Sequence, residues 1–360
     1  MLQACQPTRR CLAGWAHILP ALLLLLNTTT MAQDNNRDDV YVTGMFNWIH
    51  STGDAELAFA FYRQVFGMAL AHSTFAGAAA ANTPPPAIRP EAQAGSDDLV
   101  WDLTNTHGSR FRTVFMEAEN LSYGLELSEF FDIARSNRPA NPWDPGSTVL
   151  ILGVRDLDDI ATRLRAFGAP VVSRGGVPAT HDDGRSILVR DPDGYLVEVR
   201  QAPDEAIAAA GEGAVINSMI RISVTDMAQT LAFYEDMLGF RVDSTRQVQG
   251  DALAVFGLVE GAATETRATI RGTDISVLFT QYSLPADVPV HAYDWALQDV
   301  GSPQFQLAVR NLDALLAETS ARGYDFLSVD NKPIPRAFGR FVFVKDPDTV
   351  LVEFVEPAGE

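Results

Sequence analysis

The chain has 360 residues, with 46 acidic and 27 basic side chains and a formal net charge of −19. A surface of that sign repels nucleic acid and anionic lipid headgroups, and no basic stripe or aromatic–basic cluster argues otherwise. Its two cysteines, Cys5 and Cys11, both lie near the start, so the rest of the chain has no disulfide, thiolate nucleophile or cysteine-ligated metal.

Residues 1–32 have the layout of a cleaved secretory signal: Arg9 and Arg10, an apolar run, and a small-residue end at Thr30-Met31-Ala32. The run falls short of the roughly 20 apolar residues a membrane span needs. The expectation is a secreted or periplasmic protein with no membrane attachment after signal removal, exported by the general or the twin-arginine route. Without Arg9 and Arg10 the chain keeps 25 basic against 46 acidic side chains, about −21. What remains is long enough for two domains.

The body of the chain repeats itself. STGDAELAFAFYRQVFGM (51–68) resembles SVTDMAQTLAFYEDMLGF (223–240), at an offset of 172. LGVRDLDDIATRLRAFGA (152–169) resembles LAVRNLDALLAETSARGY (307–324) at an offset of 155, which also carries DPDGYLVEV (191–199) onto DPDTVLVEF (346–354). The difference of 17 residues falls in the first half, where the Ala/Pro-rich FAGAAAANTPPPAIRPEAQAGS (75–96) reads as an inserted surface loop. The order is A-B-A′-B′, with each unit a strand, a helix at 3.6-residue spacing and then strands, as in AELAFAFYRQVF. Four such βαβββ modules make an α+β protein. Its expected domains are 40–203 and 215–357, joined by a linker over 204–214.

The pattern D-x6-FY-x3-[LF]G after a strand, with the closing DPDG-x-x-[VI]E, resembles the vicinal oxygen chelate superfamily. That group includes glyoxalase I, the bleomycin and fosfomycin resistance proteins and the extradiol ring-cleaving dioxygenases. The resemblance covers nearly all of the chain after residue 40. It implies two curved, mostly antiparallel sheets with outer helices, each curling into a cup. In the metalloenzymes of the group a divalent ion is held by first-strand residues and by the glutamate of the closing strand. At those positions this chain offers Asn47, Val149 and Glu198, and Met219, Gln304 and Glu353. If modules pair crosswise, first with fourth, the set is Asn47, Gln304 and Glu353. None includes imidazole, so the reading is no catalytic transition metal, with Asn47, Gln304, Glu198 and Glu353 as weak candidates for a divalent ion. His50 alternates with Asn47 and points away from the cup. His72, His107, His181 and His291 read as surface or structural residues.

Side chains two apart on a strand share a face. In the first half the cup face reads Asn47, Ile49, Ser51, Val149, Ile151, Leu196 and Glu198, mostly apolar. In the second half it reads Met219, Arg221, Ser223, Gln304, Gln306, Leu351, Glu353 and Val355. The expectation is one polar C-terminal concavity holding Arg221, Gln304, Gln306 and Glu353, with Gln281 beside them. There Glu353 serves as a general base next to a substrate carbonyl and Arg221 grips a carboxylate or enolate oxygen; an ion pair between the two that merely braces the interior is the alternative. Glu198 reads as a local pair with Arg200. The connections 122–146 and 283–301 carry Phe130, Phe131, Trp143, His291, Tyr293 and Trp295, and read as lids or as anchored loops. Met219, Tyr293 and Trp295 join the two glutamines as substrate contacts. The functions in view are a lyase or isomerase acting on a small carbonyl-containing or aromatic compound, a protein that sequesters a small molecule, and a ring-cleaving dioxygenase. The state is monomer or homodimer.

Overall fold

The computed structural model describes residues 41–71, 98–181, 184–336 and 338–359. The N-terminal signal-like segment, His72 and the inserted loop at 75–96 lie outside them. The first module is β1 (Val42–Ser51), α1 (Ala55–Phe66), β2 (Ala69–Leu70), β3 (Arg110–Glu117) and β4 (Gly124–Phe131), with a short helix α2 (Asp98–Thr104) ahead of β3. The second is β5 (Thr148–Val154), α3 (Leu157–Phe167), β6 (Ala179–His181), β7 (Gly184–Arg190) and β8 (Leu196–Gln201). A short helix α4 (Asp204–Ala209) occupies the start of the linker. The third is β9 (Val215–Ser223), α5 (Met227–Leu231), which continues as a π-helical turn over Ala232–Met237, β10 (Arg241–Gln249), β11 (Ala262–Thr269) and β12 (Ser276–Ser283). The fourth is β13 (Pro303–Val309), α6 (Leu312–Ala321), β14 (Ile334–Arg336), β15 (Gly339–Lys345) and β16 (Leu351–Pro357). These are the four βαβββ modules that the repeats imply.

The recurring motif residues have local physical tasks. Asp54 caps α1 by accepting from the Leu57 amide, and Gly67 ends it in the left-handed region at φ 72°. Asp226 caps α5 in the same way, and both Phe-Tyr pairs are buried in the core. In the DPDG turn one carboxylate oxygen of Asp191 accepts the amides of Asp193 and Tyr195, and the other accepts the Tyr62 hydroxyl at 3.0 Å. Asp346 repeats this with Asp348, Val350 and the Tyr234 hydroxyl. Each turn therefore ties its own module to the helical tyrosine of the module before it.

The strands form two eight-stranded sheets, in the orders β14-β15-β16-β13-β1-β4-β3-β2 and β10-β11-β12-β9-β5-β8-β7-β6. The first joins modules one and four through an antiparallel β1–β13 pair, and the second joins modules two and three through β5–β9. Pairing is crosswise, so neither half of the chain builds a cup by itself. The short linker after β8 joins two modules that share a sheet, while the longer segments after β4 and β12 pass from one sheet to the other. The grouping of Arg221 with Glu353 in one C-terminal concavity is thereby overturned, because Arg221 stands on β9 of the second sheet and Glu353 on β16 of the first. The apolar faces assigned to the helices hold: Ile220, Ile222, Val224, Phe305, Leu307 and Val309 lie with Trp48, Phe61 and Leu164 in a single core that includes both sheets. The opposite face of each sheet lines its own cup.

Candidate functional site

The cup of the first sheet brings together polar side chains from all four central strands. On β1, Asn47 sits opposite Gln306 of β13 and Ile49 opposite Gln304. Glu126 of β4 lies beside Ile49, and Glu353 of β16 beside Gln306. The Asn47 side-chain amide donates to Gln306 Oε1 at 2.8 Å and, more weakly, to Glu126 at 3.4 Å. Gln306 in turn donates to Glu353 at 2.9 Å. The Asn47 carboxamide has room because Gly124 faces it; a Cβ on Gly124 would lie 2.4 Å from Asn47 Oδ1.

Burial dominates the chemistry of the two acids. It pushes the Glu353 carboxyl up to about 7, against the pull of the Gln306 hydrogen bond and the Arg336 charge. Burial and then the neighbouring charge of Glu353 push Glu126 up to about 8, against a hydrogen bond from Ser128. Near neutrality the pair carries about one proton between them. Around them is an open hollow of about 190 Å3, lined by Phe111, Phe115, Phe130, Phe338, Phe341 and Phe343 and by Val100 and Leu103 of α2.

Asn47, Gln304 and Glu353, the crosswise set, thus stand in one cup, and Gln306 and Glu126 join them. Glu126 lies outside the set that the sequence motifs mark, because β4 has no DPD turn before it. Alternation in GLELSEFF is the signal that could have found it, since it puts Glu126, Ser128 and Phe130 on one face.

The other proposed contacts lie elsewhere. Arg221 is buried in the cup of the second sheet, where it donates to Glu265, Thr280 and Glu198 and lies 4.6 Å from the Phe256 ring centroid. Burial opposes its charge, but Glu265 and Glu198 outweigh that and hold its pKa above the usual value. Glu198 has the foreseen Arg200 partner at 2.6 Å as well. Met219 packs in the apolar part of the same cup. Gln281 bonds the backbone of Thr225 and Met227 at the start of α5. Tyr293 and Trp295 stack at 4.8 Å and anchor their loop, Tyr293 to Asp144 and Thr349 and Trp295 to the Gly146 carbonyl. Strand alternation and the length of the connection made these assignments plausible in sequence; in the structure the connection meets the second cup through Leu284 and Val288 and the first through Leu297, not through Tyr293 and Trp295. Of the aromatic loop residues singled out, Phe130 lines the first cup, whereas Trp143 bonds the Pro289 carbonyl.

The first cup is a poor fit to a transition metal. Among the described residues its donors are two carboxylates and carboxamides, without imidazole or thiolate. Gln306 turns its N–H, not its oxygen, to Glu353, and its oxygen already accepts from Asn47. A His/Asp/Asp cluster does exist among the described residues, at His50, Asp191 and Asp193 on the opposite side of β1. The His50 ring stacks on Tyr195 at 4.5 Å, with Nε2 3.2 Å from Asp191. Both carboxylates there already accept hydrogen bonds, Asp191 from Tyr62 and Asp193 from Thr52 and Gly53.

In sequence, the family described as Glyoxalase/Bleomycin resistance protein/Dioxygenase superfamily matches residues 47–199 and 216–354. Solved structures of similar fold include glyoxalase I from Zea mays, 17% identical with a TM-score of 0.55, covering 87% of this chain and 92% of that one. A candidate dioxygenase from Bacillus subtilis subsp. subtilis str. 168 is 13% identical with a TM-score of 0.52, covering 89% and 86%. At such identities the likeness concerns the fold. No curated protein matches the sequence significantly.

Proposed function

The chain belongs to the glyoxalase/bleomycin resistance protein/dioxygenase superfamily, and from that premise we propose that it is a lyase or isomerase that moves a proton beside a carbonyl group. The substrate is a small carbonyl-containing compound with an apolar or aromatic body, and the reaction takes place in the first cup without a catalytic transition metal. The observation that carries this reading is the pair Glu126 and Glu353, two buried acids with raised proton affinity at the floor of a phenylalanine-walled hollow. An acid whose pKa lies near neutrality is suited to general acid–base work.

The ionised member, Glu353, takes a proton from the carbon next to the carbonyl, and the protonated member, Glu126, gives one to the enolate so formed. Gln306 orients Glu353 through its 2.9 Å hydrogen bond. The aromatic walls exclude water, which strengthens both proton transfers. A second reading is sequestration of an apolar guest, favoured by the same phenylalanine lining. A ring-cleaving dioxygenase is less well supported, because no imidazole lines this cup among the described residues.

Thermal-shift screening of aliphatic and aromatic carbonyl compounds identifies the ligand, and Glu353→Gln then separates the readings. Turnover should fall by about 100-fold or more while binding changes little, as for loss of a general base. Unchanged turnover removes Glu353 from the mechanism, and binding without turnover in the unsubstituted protein favours sequestration. Stoichiometric iron in purified, active protein would overturn the metal-free chemistry.

A further inference from the structure

Behind the first cup, His50 of β1 is fully buried. It alternates with Ile49 and Ser51, so its ring turns away from the cup, and it stacks on Tyr195 with ring planes 10° apart. Its Nε2 lies 3.2 Å from Asp191 Oδ2 and 4.0 Å from Asp193 Oδ2, both in the turn before β8. Neither ring nitrogen makes a hydrogen bond among the described residues, because the Asp191 contact is too poorly aligned for one.

The internal repeat supplies a comparison. The offset of 172 carries His50 onto Ile222, and the offset of 155 carries Asp191 and Asp193 onto Asp346 and Asp348. The later turn is built like the earlier one: Asp346 accepts from Tyr234, and Asp348 accepts from Thr225 as Asp193 accepts from Thr52 and Gly53. Ile222 is fully buried beside it. An apolar side chain therefore serves at this place, and the fold does not require an imidazole there. A buried imidazole costs free energy unless its nitrogens are met.

His50, Asp191 and Asp193 each offer one ligand atom, all within 4.8 Å of one another. Around one zinc ion with bonds of about 2.1 Å, ligand atoms stand roughly 3.4 Å apart, between the two distances that Nε2 makes. The hydrogen bonds these carboxylates accept leave a second lone pair on each oxygen, and ligating carboxylates are commonly held in this way. Burial and then the charge of Asp191 push the Asp193 carboxyl up to about 6, a crowding that a cation relieves. A cavity of about 20 Å3, lined by Asp193, Ser147 and Tyr195, has room for about one water.

We propose that His50 Nε2, Asp191 Oδ2 and Asp193 Oδ2 hold a divalent first-row metal ion of the zinc class, with a water from that cavity as fourth ligand. Two carboxylates and a neutral imidazole match such an ion in charge and donor type. The ion is structural. It ties β1 of the first sheet to the turn before β8 of the second, on the opposite side of β1 from Asn47, and takes no part in proton transfer in the first cup.

Zinc titration of the full chain after dialysis against EDTA, followed by elemental analysis and thermal unfolding, tests this. About one equivalent is expected at saturation, with a midpoint that rises with zinc concentration. His50→Ile copies the residue of the repeat, so it should fold and lose that equivalent. Asp193→Asn should bind zinc about ten-fold more weakly or worse, which keeps the test open if His50→Ile fails to fold. Cobalt(II) in place of zinc gives a readout independent of stability: the visible absorption of a four-coordinate ion, absent in His50→Ile. Glu353→Gln should bind zinc as the unsubstituted chain does, and this keeps failure of the site apart from failure of the proton-transfer reading. An equivalent lost with Glu353→Gln instead lies in the first cup and overturns the proposal. No saturable zinc, or equal zinc content and midpoint shift in His50→Ile, also overturns it and leaves His50 as an ion-pair partner of Asp191.

Discussion

Glu126 and Glu353 ionise in order: burial raises both, Glu353 loses its proton first, and its charge then raises the proton affinity of Glu126 further. Replacing Glu126 by Gln keeps the volume and removes the charge. Glu126 is already protonated when Glu353 ionises, so the acidic limb of the kcat/KM profile, set by Glu353, should stay in place, while the basic limb, set by loss of the Glu126 proton, should disappear. A pH–rate series on the residual activity of Glu126→Gln reads this directly; a basic limb that persists means that Glu126 is not the acid. At this scale, Glu353 was legible because its strand follows a turn that occurs twice in the sequence. Its partner was not, since strand alternation tells which way a side chain points but not which strand it will meet. Arg221 illustrates the same gap. Its direction, into a cup, is correct, but its carboxylate partners are Glu198 and Glu265, from two different modules.

The elements depend on a few turns where one sheet touches the other. Gly146, in the loop between β4 and β5, has φ 74°, and an added Cβ would lie 2.2 Å from the Asp348 carbonyl oxygen in the turn before β16. Gly146→Ala therefore meets both a left-handed backbone and a backbone clash that no side-chain rotation relieves. A loss of roughly 2–4 kcal/mol is expected in denaturant unfolding. Gly108→Ala is the control. It has φ 83° with no atom near its Cβ position, so it should cost about 1–2 kcal/mol, the left-handed penalty alone. Equal losses would mean that the contact with Asp348 relaxes freely. The module helices were readable from their spacing and from the repeats. The exception, α2, spans only Asp98–Thr104 and is held by burial of Val100, Leu103 and Thr104, a tertiary effect that overrides weak local preference.

For the whole molecule, several acids bind a proton more tightly in the folded chain than in the unfolded one. Burial raises Glu353 and Asp346 to about 7, Asp193 to about 6 and Glu126 to about 8. Between the unfolded carboxyl range near pH 4 and these values the folded state holds more protons, so stability is greatest at the acidic end and falls as pH rises through about 6 to 8. Relief of self-repulsion toward the sequence pI of about 4.6 acts in the same direction. Scanning calorimetry should give a higher midpoint at pH 5.5 than at pH 8, by several degrees; the reverse order would show that these acids are ionised and paired in the fold. The sequence by itself determined the four modules, the apolar faces that pack against helices and the facing of Asn47, Arg221, Gln304, Gln306 and Glu353 into a cup. These follow from short-range rules, namely a period of two along a strand, 3.6 along a helix, and turn chemistry confined to a few adjacent residues. Only the tertiary structure decided which modules share a sheet. That choice rests on β1 pairing with β13 and β5 with β9, contacts between residues far apart in the chain, which no local spacing records. It placed Glu126 beside Glu353, moved Arg221 to the other cup, and gave each cup its own chemistry.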